Sequence, residues 1–123
     1  MAAQRKILLV EDNMKIMEGN VRKFTREGYD VACARTLVAA HSLVGKYYPD
    51  VIVLDIMMPD GSGLEFAKTI RQDEITTPIL FLTGLSTKED ILCGIEAGGN
   101  DYLTKPYDFK ELVARVAALI KAV

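Results

Sequence analysis

Three acids, a hydroxyl and an ammonium stand at matching places along this chain. Glu11 and Asp12 come directly after the aliphatic run 7–10, Asp55 after 51–54, Thr83 after 79–82, and Lys105 just past 102–103. Three carboxylates gathered in one pocket repel unless a cation joins them. A hard divalent ion with oxygen ligands meets that need, and Mg²⁺ suits a site with few carboxylates and several positions left to water. Such an ion also stabilises phosphoryl oxygens during transfer. In that setting Asp55 is a carboxylate nucleophile able to form an acyl phosphate. Lys105 is a compact charge to balance a phosphoryl group, and Thr83 a hydroxyl that can donate to a phosphate oxygen. Taken singly these residues are bland. An acidic pair after a strand often only complements a helix dipole, and Lys-Pro in a loop is usually a turn. The signal is that all five fall at the same point of successive elements.

Those elements follow from the apolar periodicity. Strands are predicted at 7–10, 31–34, 51–54, 79–82 and, briefly, 102–103; three are unbroken aliphatic runs, as in strands covered on both faces. Between them, Met14, Met17, Val21 and Phe24 recur at helical spacing, and Gly28 marks the stop. Ala40, Leu43, Val44 and Tyr47 do the same behind Thr36, an N-cap residue type. Leu64, Ala67 and Ile70 make a shorter third helix. Thr87 with Asp90 opens a fourth, closed by Gly98 and Gly99, and Asp108 with Glu111 opens a fifth whose apolar face runs from Phe109 to Ile120. Five strands alternating with five helices predict a doubly wound α/β fold on a parallel sheet with right-handed crossovers. Ligands in such folds gather at the carboxyl ends of the strands, near the switch in strand order. That rim is where the five polar residues fall.

In this order and at this spacing the segments resemble the receiver domain of two-component response regulators over essentially the full length. The resemblance is carried by Glu11-Asp12-Asn13 after the first strand, Asp55 with Met57-Met58-Pro59-Asp60-Gly61-Ser62-Gly63, Leu82-Thr83-Gly84, Gly98 to Leu103, and Thr104-Lys105-Pro106-Tyr107. It implies a flavodoxin-like strand order 2-1-3-4-5. It implies a switch charged by a sensor histidine kinase or a phosphotransfer protein, with Asp55 as phospho-acceptor. Glu11 and Asp12 would hold Mg²⁺ with Asp55 and the backbone carbonyl of Met57. Thr83 resembles the switch hydroxyl and Tyr102 the switch aromatic, whose ring turns inward as Thr83 moves toward the phosphate. The Lys105–Pro106 bond would be cis. Backbone N–H groups of Ile56 and Gly84 are placed to cradle phosphate oxygens. It implies that phosphoryl transfer and hydrolysis take place on the domain itself, so that the protein would be an enzyme only toward itself. The fifth helix resembles those of receivers that precede winged-helix DNA-binding domains and dimerise through helix four, strand five and helix five. Asp101, Glu111 and Arg115 fit that charge pattern, whereas Ile91 stands where those receivers carry a basic partner for Glu111.

Composition narrows the alternatives. The 123 residues, half hydrophobic and 26% charged, suit one globular domain over 1–123, alone or as part of a longer regulator or hybrid kinase. A net charge of −2 gives no reason to expect direct nucleic-acid or membrane binding. No apolar run nears the ~20 residues of a membrane span, and a cytoplasmic location is expected. Cys33 and Cys93 form no CxxC pair and are expected as buried free thiols. His41 lies in the second helix, away from every strand end, and Asp60 and Asp101 are read as loop and strand-edge residues rather than ligands. A haloacid-dehalogenase-type phosphatase would need a second Asp two residues after Asp55, where Met57 stands. A flavin-mononucleotide carrier would need a hydroxyl- and glycine-rich loop after the first strand, where Glu11-Asp12-Asn13 stands.

Overall fold

A computed structural model describes residues 4–122. Five strands, β1 (Lys6–Val10), β2 (Asp30–Ala34), β3 (Val51–Leu54), β4 (Ile79–Thr83) and β5 (Asp101–Thr104), pair in parallel in the order β2-β1-β3-β4-β5. The helices are α1 (Met14–Arg26), α2 (Leu37–Tyr47), α3 (Gly63–Gln72), α4 (Lys88–Glu96) and α5 (Phe109–Lys121). The expected fold class and strand order are those observed. A two-residue hairpin, Met57–Met58 against Gly61–Ser62, connects β3 to α3.

Alternate strand residues feed two separate cores. Leu8, Ile52, Leu54, Ile79 and Phe81 face the layer of α2, α3 and α4. Ile7, Leu9, Val53, Leu80 and Leu82 face α1 and α5. The central strands are therefore buried on both sides, the condition that makes their sequences continuous aliphatic runs. On α5 the buried residues are Leu112, Val116 and Ile120, each contributing roughly 1.5–3 kcal/mol by leaving water.

Side chains predicted to start helices do so. Thr36 Oγ1 accepts from the Ala39 N–H, and Thr87 and Asp90 bond each other's backbone N–H groups as a complete capping box. Gly28 and Gly98 follow the last turns of α1 and α4 with φ of 95° and 116°, where a Cβ would be strained. The fifth helix departs from expectation. Asp108 accepts from the Lys110 N–H, but the Glu111 carboxylate bonds Arg115 at 2.8 Å instead of closing the box. A guanidinium one turn along offers a charge-assisted bond, stronger than one to an amide N–H. The α1 stripe is also shifted: Met17, Asn20 and Phe24 are buried, Val21 is half-buried, and Met14 is 41% exposed.

Both cysteines are free, as expected, but exposed rather than buried. Cys33 lies on β2, an edge strand with only Ala34 buried, and Cys93 on α4, a helix that buries little beyond Gly94. Edge position and shallow helix docking override apolar neighbours in sequence. His41 is exposed beside Asp73, 3.8 Å away.

At the amino ends of β4 and β5, the half-buried Arg71 ties the α3–β4 and α4–β5 loops together. Its Nη1 donates to the carbonyls of Ile75 and Thr77, and its Nε and Nη2 donate to that of Gly98. Nη2 also reaches Asn100 Oδ1, which accepts from the Ile79 N–H. Burial lowers the affinity of this guanidinium for its proton, and the carbonyl oxygens around it offset that cost. Arg71→Met keeps the aliphatic stem and removes every one of these donors. Urea unfolding of the variant should show a loss of about 2 kcal/mol, and an unchanged midpoint would rule out this role.

Candidate functional site

In the strand register Val10 lies beside Leu54, and Leu54 beside Phe81. The chain therefore leaves β1 and β3 at the same level, one on each side of the point where the strand order reverses. Glu11 N–H still bonds the Ala34 carbonyl and Asp55 N–H the Val10 carbonyl, so the first residues past both strands keep sheet geometry. Glu11 and Asp55 are buried, 6% and 7% exposed, and Asp12 is exposed. One carboxylate oxygen from each of the three lies within 4.8 Å of the others. Oxygen donors at this spacing form a cluster that could hold a metal ion.

Lys105 enters the same cluster from the far side. Its backbone N–H donates to the Thr83 carbonyl, extending the β4–β5 ladder by one bond. Its Nζ donates to Glu11 Oε1 at 2.6 Å and to Asp55 Oδ2 at 2.9 Å. Burial alone would push the ammonium pKa down. The two hydrogen bonds and the two carboxylate charges more than offset it, and the pKa is raised. Sequence spacing pointed to Lys105 as a partner for phosphate and did not anticipate its bond to Glu11. The Lys105-Pro106 peptide is cis, as expected.

The remaining valences are held by backbone. Asp55 Oδ1 accepts from the Met57 N–H at 3.2 Å, and Glu11 Oε2 from the Asn13 N–H at 3.1 Å. Asn13 caps α1 in turn, its side chain accepting from the Ile16 N–H. Close packing shapes the loop beyond Asp55: a Cβ at Gly63 would overlap the Asp55 carbonyl oxygen. Asp60, at the hairpin tip, accepts from the N–H groups of Leu37 and Val38. The Leu37 N–H, with that of Val38, holds its carboxyl below the usual range. It is thus a loop residue, as expected, with an added role in capping α2 from another part of the chain.

Thr83 and Tyr102 lie toward β5. Thr83 is fully buried, and its hydroxyl accepts from the Leu85 N–H at 3.5 Å. Tyr102 is 8% exposed; its ring packs on Phe81, and its O–H donates to the Leu85 carbonyl at 2.7 Å. The ring therefore already occupies the inward position, and its hydroxyl is bonded to protein. Burial, then the charges of Asp90 and Asp55, push the phenol up to about 12. Gly94 of α4 makes room for it, since a Cβ there would come within 2.8 Å of the ring. Gly94→Ala should force the ring outward and move one tyrosine titration from about 12 toward the ordinary value near 10. Ultraviolet titration against wild type checks this, and identical curves would refute the packing argument.

Asn20 and Tyr107 were absent from the predicted site. Asn20 is buried in α1 and hydrogen-bonds the Tyr107 hydroxyl, two residues past Lys105. An asparagine in line with Met17 and Phe24 on a helix face is the signal that marks it.

The family model for the response regulator receiver domain matches residues 7–117. The transcriptional regulatory protein TrcR of Mycobacterium tuberculosis is 39% identical over 116 residues, covering 94% of this chain and 45% of that protein. The nisin biosynthesis regulatory protein NisR of Lactococcus lactis is 40% identical, with 94% and 50% covered. The chain thus spans about half the length of these relatives. Among solved structures, the receiver domain of the Francisella response regulator 1452 superposes with a TM-score of 0.93 at 36% identity, covering 97% of this chain and 98% of that one. A BeF3-activated DrrB receiver domain gives 0.84 at 34%, covering 97% and 99%. Strand order, acid cluster and these matches agree: the chain belongs to the response regulator receiver domain family.

Proposed function

We propose that this domain is a phosphorylation-activated signalling switch in which Asp55 accepts a phosphoryl group from a phosphohistidine of a sensor histidine kinase or phosphotransfer protein. The observation that carries this reading is the convergence of Glu11, Asp12 and Asp55 at the switch point of the sheet, with Lys105 bonded into the cluster. Glu11, Asp12, Asp55 and the Met57 carbonyl would hold Mg²⁺. When bound, the ion offsets the negative charge on the phosphoryl oxygens.

The chain's own residues do the rest. A carboxylate oxygen of Asp55 attacks phosphorus; the O–P bond forms as the N–P bond breaks, and that electron pair leaves with the imidazole nitrogen. Lys105, anchored by its backbone bond to Thr83, supplies the fixed positive partner for the phosphoryl group. Ile56 and Gly84 donate backbone N–H groups to its oxygens. The Thr83 hydroxyl turns from the Leu85 amide toward the phosphate. Catalysis is confined to the domain's own phosphoryl transfer and autodephosphorylation.

The readout is a changed α4, β5 and α5 surface. Thr83 and Tyr102 both bond Leu85, so a turn of the Thr83 hydroxyl reaches the ring that packs under α4. That surface carries an open cleft of about 560 Å³ bordered by Ile91, Tyr102, Pro106, Tyr107 and Glu111. Arg115 bridges Asp101 and Glu111 beside it, a charge cluster suited to a homodimer through this face. The relatives named as transcriptional regulators support an output controlled through this surface, without nucleic-acid contact by the domain itself. Among the described residues no helix is long and apolar enough to cross a membrane, and a cytoplasmic site of action fits kinase and output alike.

A small phosphodonor with Mg²⁺ should add one phosphoryl group to wild type and none to Asp55→Asn, as read by intact-mass spectrometry. Equal labelling of the variant would sink the acceptor assignment. Asp12→Ala should weaken Mg²⁺ binding at least tenfold, a large effect because few protein ligands are available; Glu11→Ala should weaken it less. Titration calorimetry giving equal affinities for wild type and Asp12→Ala would remove the metal site. Tyr102→Ala should still take phosphate on Asp55 at near wild-type yield, with smaller α4 and β5 amide shifts on beryllofluoride addition. Lys105→Ala should lose most of those shifts, and a full wild-type pattern there would exclude Lys105 as the coupling residue.

A further inference from the structure

Asn20 is an amide in largely apolar surroundings. It is 5% exposed, on the face of α1 that packs against the sheet, and it shares a small cavity with Leu9, Val10, Met17, Val53, Leu82 and Glu11 of the acid cluster. Its Nδ2 donates to the Tyr107 hydroxyl at 2.8 Å, and that hydroxyl lies 3.2 Å from its Oδ1, to which it can donate. Among the described residues these are its side chain's hydrogen bonds, so one phenol satisfies an otherwise stranded buried amide.

The bond joins two segments that each carry part of the acid cluster. α1 begins at Asn13, directly after Glu11 and Asp12, and Asn13 both caps the helix and donates its N–H to Glu11. Tyr107 lies two residues beyond Lys105 and just before Asp108, the cap of α5. Lys105 is held in front by its N–H on the Thr83 carbonyl. Behind it, the Asn20–Tyr107 bond ties the loop after β5 to α1, in addition to the bond of the Lys105 ammonium to Glu11. We propose that Asn20 and Tyr107 form a latch that positions Lys105 for the phosphoryl reaction at Asp55, by fixing the loop after β5 against α1. This rests on Asp55 being the phospho-acceptor.

The two ends of the latch respond differently to substitution. Tyr107→Phe keeps the ring but strands a buried amide, so it should destabilise the fold. Asn20→Leu removes the amide with a side chain of similar volume, and the half-buried Tyr107 hydroxyl can turn to water. The double variant Asn20→Leu/Tyr107→Phe has no stranded group and should recover the wild-type urea midpoint. A purely structural role would then be fully repaired. A positioning role would not: in the double variant, hydrogen exchange at the Lys105 amide should speed roughly tenfold relative to Leu82, as expected of a loosened segment in an intact fold. Labelling of Asp55 by phosphoramidate at saturating Mg²⁺ should slow by roughly tenfold or more, the scale set by small displacements of reacting groups. Unchanged Lys105 exchange in the double variant would overturn the latch. Faster exchange with a wild-type labelling rate would overturn its part in the reaction. Wild-type protein that takes no label would instead overturn the acceptor reading, leaving the exchange data to decide the mechanical role.

Discussion

The ammonium of Lys105, bonded at once to Glu11 and Asp55, is the contact around which the strand ends are organised. Two buried carboxylates side by side are unfavourable, and removing a cation from water is costly too. Each becomes tolerable only with the other. The arrangement demands three strand ends at one level, because a lysine side chain can span two carboxylates only when both are within a few ångströms. The parallel sheet meets that demand, with β1 and β3 in register and β4 passing its ladder on to Lys105 through the Thr83 carbonyl. Asp12, exposed and one residue further out, leaves the cluster open to a cation from solvent.

A chain of short contacts leads from this rim to the outer surface. Thr83 ends the strand beside the site, Leu85 donates its N–H to Thr83 and accepts from the Tyr102 hydroxyl, and Tyr102 packs where α4 has a glycine in place of a side chain. α4 buries little of itself, leaving Leu92 and Ile95 largely exposed. A helix held by few apolar contacts is the element that can shift at low cost. At the opposite end Arg71 pins the turn after α4 through the Gly98 carbonyl. The helix is thus anchored at its carboxyl end and lightly held where it faces the site.

Much of the fold was legible along the chain because the forces that decide it are local or periodic. Unbroken aliphatic runs identified the doubly covered strands, and Thr36 and Thr87 marked helix starts by their own hydrogen-bonding chemistry. Edge effects were not legible. Cys33 is as apolar in its neighbourhood as a core residue, yet it is exposed because β2 has a neighbour on one side only. Nor was the competition for Glu111, which a nearby guanidinium won over the capping box.

The sequence by itself determined which residues stand at the strand ends, and hence that three acids, a hydroxyl and a lysine share one rim. That follows because strand periodicity and the alternation with helices admit only this kind of sheet, and side-chain chemistry does not depend on the fold. Tertiary structure alone decided how those groups divide their bonds: Lys105 between Glu11 and Asp55, Thr83 and Tyr102 meeting at Leu85, and Asn20 with Tyr107 across 87 residues of chain. Such pairings depend on distances of a few tenths of an ångström between segments remote in sequence. They are set by how helices pack on a twisted sheet, which no local pattern encodes.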